Sequence, residues 1–413
     1  MTSPLDLASV RARFPSLARE VAGQPAVYLD GPGGSQVPLS VAEAMTGYLL
    51  GSNANEGGAF ATSQETSATI VAARVAAADL VGGTPDETAF GANMTTLNFA
   101  LAHAVARTLA PGDEIVVTEI DHDANVAPWL MVAADHGLVI RQAPLRAEDG
   151  TLDLDRLEAL LSARTRVVAF SLASNALGSL TDAARISASA HRVGALSWAD
   201  AVHFAPHRRI DRDALGLDVL LCSPYKFFGP HQGIALVRRD LAESWPADRV
   251  RPASQTPPGH RFETGTQSHE ALAGTIAAID YLASLGGGSG DRRARLDSAF
   301  DAITAYETEL TQTTLERLAA MERVTLHGIA EPDRAGERTA TFCISVHGRD
   351  PRSVASELGR QGIFTWDGNY YALGPMRALG LDPDVGALRA GYLHYTTAEE
   401  AKRFLDALET IAG

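Results

Sequence analysis

From about residue 86 to residue 240, short β-rich apolar runs alternate with alanine-rich stretches whose apolar positions recur at helical spacing. The runs are DEIVVTEI (113–120), GLVIRQAPL (137–145), TRVVAFSLA (165–173), ALSWADAV (195–202), DVLLCS (218–223) and GIALVRR (233–239). Helix candidates include NFALAHAVARTLA, NVAPWLMVAADHG and DAARISASAHRVG, whose small residues suit close packing on a sheet. This alternation predicts an α/β domain with a mostly parallel sheet covered by helices. The glycines of SLGGGSGD (284–291) disfavour helix and strand and mark a boundary. Beyond it the pattern changes to a long helix (292–322), VTLHGI, TATFCISVHG, a helix at 351–360, ALRAGYLHYT and a final helix. The expected division is a large domain over 21–286 and a smaller α+β domain over 287–413, with residues 1–20 packing on the latter.

A chain of 413 residues is long enough for two cores. Its net charge of -15, with no long basic run, excludes a phosphate-backbone partner and leaves small molecules as ligands. No signal-like apolar region opens the chain, and no stretch reaches the roughly 18 apolar residues of a membrane span, so the expected compartment is the cytoplasm. Cys222 and Cys343 are far apart within apolar stretches, which predicts reduced buried thiols; neither a disulfide nor a metal site is expected.

The chain contains two lysines. Lys402 lies in a charged helical segment, EEAKRF, whereas Lys226 sits among aromatics in LLCSPYKFFGP, directly after an apolar run. Ligands of open α/β sheets sit beyond the carboxyl ends of the strands. Four runs end there with chemistry: Asp200 and then His203, Ser223 and then Lys226, Asn175, and His122 with Asp123. An amine beside Tyr225, Phe227 and Phe228 loses some preference for its proton and can form a Schiff base with an aldehyde. That is the chemistry of pyridoxal phosphate, whose ring nitrogen needs a carboxylate such as Asp200. Its phosphate needs a helix N-terminus and hydroxyls, which Thr95, Thr96 and Ser223 can supply. Each residue also has a plainer reading: Thr95 as a helix cap, Asp200 in a turn, His203 as a satisfied core histidine, Asp123 capping a helix near Ala124. Lys226 and Asp200 together favour the site.

The motifs resemble the class V aminotransferases of fold type I, and within them the cysteine desulfurases. The resemblance rests on YLDGPGGSQVPLSV (28–41), NMTT (93–96), DHDANVAPW (121–129), ASNALGS (173–179), DAVH (200–203), SPYKFFGP (223–230), RFETGT (261–266) and ALRAGYLHY (387–395). It implies a large domain with a seven-stranded, mostly parallel sheet. It also implies that Lys226 carries the cofactor as an aldimine and that Asp200 pairs with its ring nitrogen. Asn175 and His203 would approach the ring oxygen, and Met94, Thr95, Thr96, Ser223 and Tyr225 would hold the phosphate. Thr266 would reach a neighbouring subunit's phosphate in a homodimer with shared sites. Arg389 would grip the substrate carboxylate, with Asn175, Trp366, Tyr371 and Gly33 completing the substrate site and His122 and Asp123 acting near the ring. Three positions depart from the family pattern. Tyr371 fills the persulfide-cysteine slot in FTWDGNYYALG (364–374), Trp366 replaces an arginine, and Asp123 replaces the ring-stacking histidine.

The expected reaction is removal of the Cα proton of an amino acid and elimination of a β-substituent, as in a C–S lyase acting on a cysteine S-conjugate. An aminotransferase or an amino-acid epimerase is the alternative, with persulfide desulfuration and a non-catalytic regulator less favoured. A dinucleotide fold is disfavoured because GPGGSQ (31–36) lacks the third glycine of that fingerprint.

Overall fold

The computed structural model describes residues 5–287 and 289–413; Gly288, within the expected boundary segment, lies outside them. Seven strands form the main sheet: β1 (Thr88–Gly91), β2 (Glu114–Thr118), β3 (Val139–Ala143), β4 (Thr165–Ser171), β5 (Leu196–Asp200), β6 (Val219–Cys222) and β7 (Gly233–Val237). Their spatial order is β1-β7-β6-β5-β4-β2-β3. Strand β7 runs antiparallel to β1 and β6, and every other neighbouring pair is parallel. The six runs read from the sequence all became strands. Strands β2, β5, β6 and β7 are almost wholly buried because helices cover both faces, which is why they read as continuous apolar runs. The seventh strand, β1, is TAFG, which, unlike the equally short VLLC of β6, forms no apolar run.

A second, antiparallel sheet contains β8 (Val324–His327), β9 (Thr341–Val346), β10 (Trp366–Gly368) and β11 (Ala387–Gly391), in the order β8-β9-β11-β10. Helices Arg292–Ala319, Pro351–Arg360 and Ala398–Ala412 share its core through Leu315, Leu358, Phe404 and Leu408. The N-terminal segment serves both cores. Val10, Phe14 and Leu17 pack in the core of the main sheet, whereas Val27 and Leu29 belong to the second core. Val27–Tyr28 also pairs with Ile363–Phe364, and Arg11 meets Glu400 at 2.8 Å.

The parallel strands place Ser171, Asp200 and Cys222 at one carboxyl edge. Beyond it the turn Gly31–Gly33 folds over the lysine turn, where Ser35 Oγ donates to the Tyr225 carbonyl at 3.0 Å and accepts from Phe228 N–H at 2.7 Å. The glycine-rich GPGGSQ thus covers the rim of the sheet.

Candidate active site

The single turn Pro224–Lys226 follows β6 and points Lys226 back over the rim. Lys226 is 8% exposed, hydrogen-bonds the Pro32 carbonyl through Nζ, and lies 5.0 Å from the Tyr225 ring centre. Burial, aided by the positive charge of Arg389 and only partly offset by Asp200 and Asp30, pulls its amine down to about 7. A free-base amine is therefore available near neutral pH, as a carbonyl nucleophile requires.

Asp200 closes β5 and accepts from Val202 N–H at 2.8 Å. Burial, reinforced by the like charge of Asp121, raises its carboxyl to about 7. Asp121 is equally enclosed, and burial raises it to about 6 against three donors: Thr118 Oγ1, Ser171 Oγ and Asn125 Nδ2. Asn125 Oδ1 accepts in turn from Asn98, whose own Oδ1 accepts from Trp198 Nε1 at 2.9 Å. Two buried carboxylates side by side are costly unless a cation joins them, so this corner suits a protonated ring nitrogen. His203 Nε2 lies 3.2 and 3.0 Å from the hydroxyls of Thr339 and Thr341, the latter at the start of β9. Burial holds its imidazole well below the usual value, so the ring is neutral.

The helix Met94–Ala106 begins three residues after β1. Asn93 caps it, accepting from the Thr96 N–H at 2.8 Å and from the Thr96 hydroxyl at 2.9 Å. Met94 N–H donates to Ser223 Oγ at 3.1 Å, which ties the helix start to the lysine turn. The close approach depends on Gly233 in β7, where a Cβ would lie 2.3 Å from the Asn93 carbonyl carbon. Thr95, His122, Asn175, Asp200, Ser223 and Lys226 border one cavity of about 520 Å³. The Thr95 N–H and the positive dipole end of the helix, beside Ser223, could hold a phosphate.

A wider cleft of about 1490 Å³ shares His122, Asn175, Tyr225 and Lys226 with this cavity and opens towards the second sheet. On its floor Arg389 in β11 donates from one terminal NH to the Asn175 carbonyl at 2.9 Å and lies 4.3 Å from the Tyr370 ring centre. Burial draws its guanidinium down only to about 10, so it stays charged. Arg389 Nε and Asn175 Oδ1 are buried with no hydrogen-bond partner among the described residues. An unpaired buried guanidinium calls for a carboxylate, which it can grip with two parallel bonds.

Several residues stand elsewhere than the sequence suggested. The cap of the Met94 helix is Asn93, and Thr96, with its hydroxyl on Asn93, does not border the cavity. Asp123 borders neither cavity; its N–H donates to the Tyr371 carbonyl at 2.7 Å. The expected cap role of Asp123 falls to His122, whose Nδ1 accepts from Ala124 N–H at 3.0 Å and whose ring borders both cavities. Burial lowers His122 to about 4, so it is neutral, with its proton on Nε2. Thr266 lines a separate cavity with His260 and Glu263. Gly33, Trp366 and Tyr371 line the wide cleft, where a Cβ on Gly33 would lie 2.3 Å from the Trp366 indole nitrogen. Asp121 and Asp30 escaped the sequence reading. Burial raises Asp30 to about 6 beside Arg389 and Lys226. A carboxylate at a strand end is common, and nothing in the local sequence marks these two.

The family model described as aminotransferase class-V matches residues 27–404. A cysteine desulfurase of Pectobacterium carotovorum subsp. carotovorum is 32% identical, covering 100% of this chain and 98% of its own length. An aminotransferase-like protein of Gibberella zeae is 31% identical over 99% of both chains. Among solved structures, the apo cysteine desulfurase of Thermococcus onnurineus superposes with a TM-score of 0.86 at 26% identity, covering 100% of this chain and 99% of that one. The neutral-range amine, the paired buried carboxylates and the open helix start fit the cofactor of such enzymes. The chain belongs to the class-V aminotransferase family and is a pyridoxal-phosphate-dependent enzyme.

Proposed function

We propose that the protein is a C–S lyase that eliminates a thiol from a β-substituted amino acid such as a cysteine S-conjugate. The observation that carries this reading is the position of Tyr371. It stands, 70% exposed, at the cleft wall in the slot that the family resemblance gives to the persulfide cysteine. Cys222 and Cys343 are fully buried in β6 and β9, and burial raises both thiols, Cys343 to about 12. Neither can offer the thiolate that would attack a substrate's sulfur.

Bound pyridoxal phosphate supplies an electron sink for negative charge at Cα. Lys226 would hold the cofactor and, as a free amine, would take the proton from the substrate's Cα. Asp200 would hold a proton on the cofactor's ring nitrogen, and Asn175 and His203, which line the same cavity, would help to hold the group. Thr95, through its N–H and hydroxyl, and Ser223 would hold the phosphate. Arg389 fixes the substrate carboxylate. His122, neutral with its proton on Nε2, can hydrogen-bond the departing sulfur. The Cβ–S bond breaks with its electron pair on sulfur, which would take back the proton that Lys226 removed from Cα and leave as a thiol. Water converts the three-carbon remainder to pyruvate and ammonia.

We also infer a homodimer in which Thr266 completes the neighbouring phosphate site. Exposed Leu49, Leu50, Phe60 and Val71 on and beside two consecutive helices, Leu39–Gly51 and Ala61–Val81, support it. Two unpaired, buried cysteines support a cytoplasmic protein, and no described helix is long and apolar enough to cross a membrane. Incubation of the holoenzyme with S-substituted cysteines should release thiol and pyruvate in equal amounts. Formation of the oxo acid with its sulfur retained would overturn the reading.

A further inference from the structure

The wide cleft has a floor and a mouth of different character. On the floor is Arg389, 4% exposed, its Nε without a partner. Trp366 of β10 pairs directly with Arg389 of β11 in the antiparallel ladder. Residues directly opposite in such a ladder project on the same face with their Cβ atoms about 5 Å apart. An amino acid whose carboxylate rests on Arg389 therefore extends its side chain along the Trp366 indole, which is 49% exposed.

The same cleft is lined by Asp350, Asp367 and Asp384, with Arg352 the cation there besides Lys226 and Arg389. Arg352 reaches Asp367 at 3.7 Å. The carboxylates of Asp350 and Asp384 have no cationic partner among the described residues; Asp350 accepts only the Ser353 N–H, at 2.9 Å, and Asp384 lies in an exposed loop. The second aromatic wall, Tyr371, is held by its own N–H on Asn369 Oδ1 at 2.9 Å and by its carbonyl on Asp123 N–H. Two exposed aromatic faces followed by two unpaired carboxylates form a cation-binding surface, since ring faces and carboxylates both attract positive charge.

Building on the lyase reading, we propose that the substrate's β-substituent ends in a positively charged group, an ammonium, an alkylated ammonium or a guanidinium. It lies between Trp366 and Tyr371 and is neutralised by Asp350 and Asp384. The departing thiol is then a cationic thiol of the cysteamine type, and the mouth discourages anionic conjugates.

Binding can be read separately from elimination by titrating the holoenzyme's cofactor absorbance with lysine, norleucine and 2-aminoadipate, similar chains with no leaving group. Lysine should bind at least tenfold more tightly than the other two. That advantage should shrink several-fold in D384N, in D350N (where asparagine still caps the helix) and in 1 M salt. Equal affinities, or a preference for 2-aminoadipate through Arg352, would overturn the proposal. A second arm offers S-(2-aminoethyl)cysteine and S-propylcysteine. If lysine is preferred but neither compound yields pyruvate, the cation site stands and the lyase reading falls. If both are cleaved with equal kcat/KM and lysine shows no advantage, the lyase reading stands and the cation site falls.

Discussion

An amine buried beside an arginine gives up its proton close to neutrality, and Lys226 is placed for that. Its amine is lowered from 10.5 to about 7, so the reactive free-base fraction is about half at pH 7 and nearly complete about one unit above it. Uptake of pyridoxal phosphate by the apoenzyme should therefore quicken between about pH 6 and pH 8 and then level off. A rate still climbing tenfold per unit up to pH 10 would show an ordinary lysine. Arg389 invites a second test. Its planar group is the buried partner for a carboxylate, and a lysine cannot reproduce two parallel bonds. Losing one buried charge-assisted contact costs at least about 2 kcal/mol. Arg389→Lys should then weaken amino-acid binding by roughly thirtyfold, read as a rise in KM and in the Kd of the spectral change. At this scale Lys226 and Asp200 were legible because one is nearly alone of its kind and the other ends a strand. Asp121 was not, because its importance comes from Thr118, Asn125 and Ser171, which only the fold brings together. The shift from Asp123 to His122 was equally invisible. Which of two adjacent side chains faces a cavity depends on the torsions of one 3-10 turn.

Elements place these residues by close approach. The helix start at Met94 touches β7 only because position 233 has no Cβ. Gly233→Ala would press a methyl group into the Asn93 backbone, which cannot step aside as a flexible side chain can. Overpacking of this kind costs about 1–3 kcal/mol. Chemical denaturation should show that loss, and pyridoxal phosphate affinity should fall with it because the Thr95 N–H moves. Unchanged stability and affinity would mean the helix start is not fixed by this contact. Six strands of the main sheet were readable as apolar runs because parallel strands buried on both faces leave such runs. Strands β1 (TAFG) and β10 (WDG) gave no apolar run, unlike the short but wholly apolar VLLC of β6, although β10 carries Trp366 into the cleft. The cap at Asn93 was overlooked in favour of the threonines after it, yet an asparagine three residues before Thr96 is an ordinary capping arrangement.

Across the whole molecule the two sheets meet at the site: Asp200, Ser223 and Lys226 come from the first, Arg389 and Trp366 from the second. His203 joins them through Thr339 and Thr341. The helix Arg292–Ala319, placed beyond the expected boundary, packs Leu296, Phe300 and Ile303 in the main core and Leu315 in the second, and the sharing of the N-terminal segment between the two cores was not readable either. Its contacts, from Phe14 to Val27, link positions more than two hundred residues apart in sequence. The exposed apolar side chains on the Leu39–Gly51 and Ala61–Val81 helices lead to a quaternary prediction. Sedimentation should give a dimer, and Phe60→Asp with Val71→Asp should yield a monomer with reduced pyridoxal phosphate affinity because Thr266 no longer reaches a neighbour. A wild-type monomer with full cofactor affinity would contradict it.

The account rests on Lys226 as the residue that holds the cofactor, and a chain with two lysines makes this directly measurable. The holoenzyme should be reduced with sodium borohydride, digested and mapped by mass spectrometry. The account predicts a reduced pyridoxyl-phosphate group on the peptide containing Lys226 and an unmodified Lys402. A modified Lys402, or no covalent adduct from a coloured holoenzyme, would contradict it.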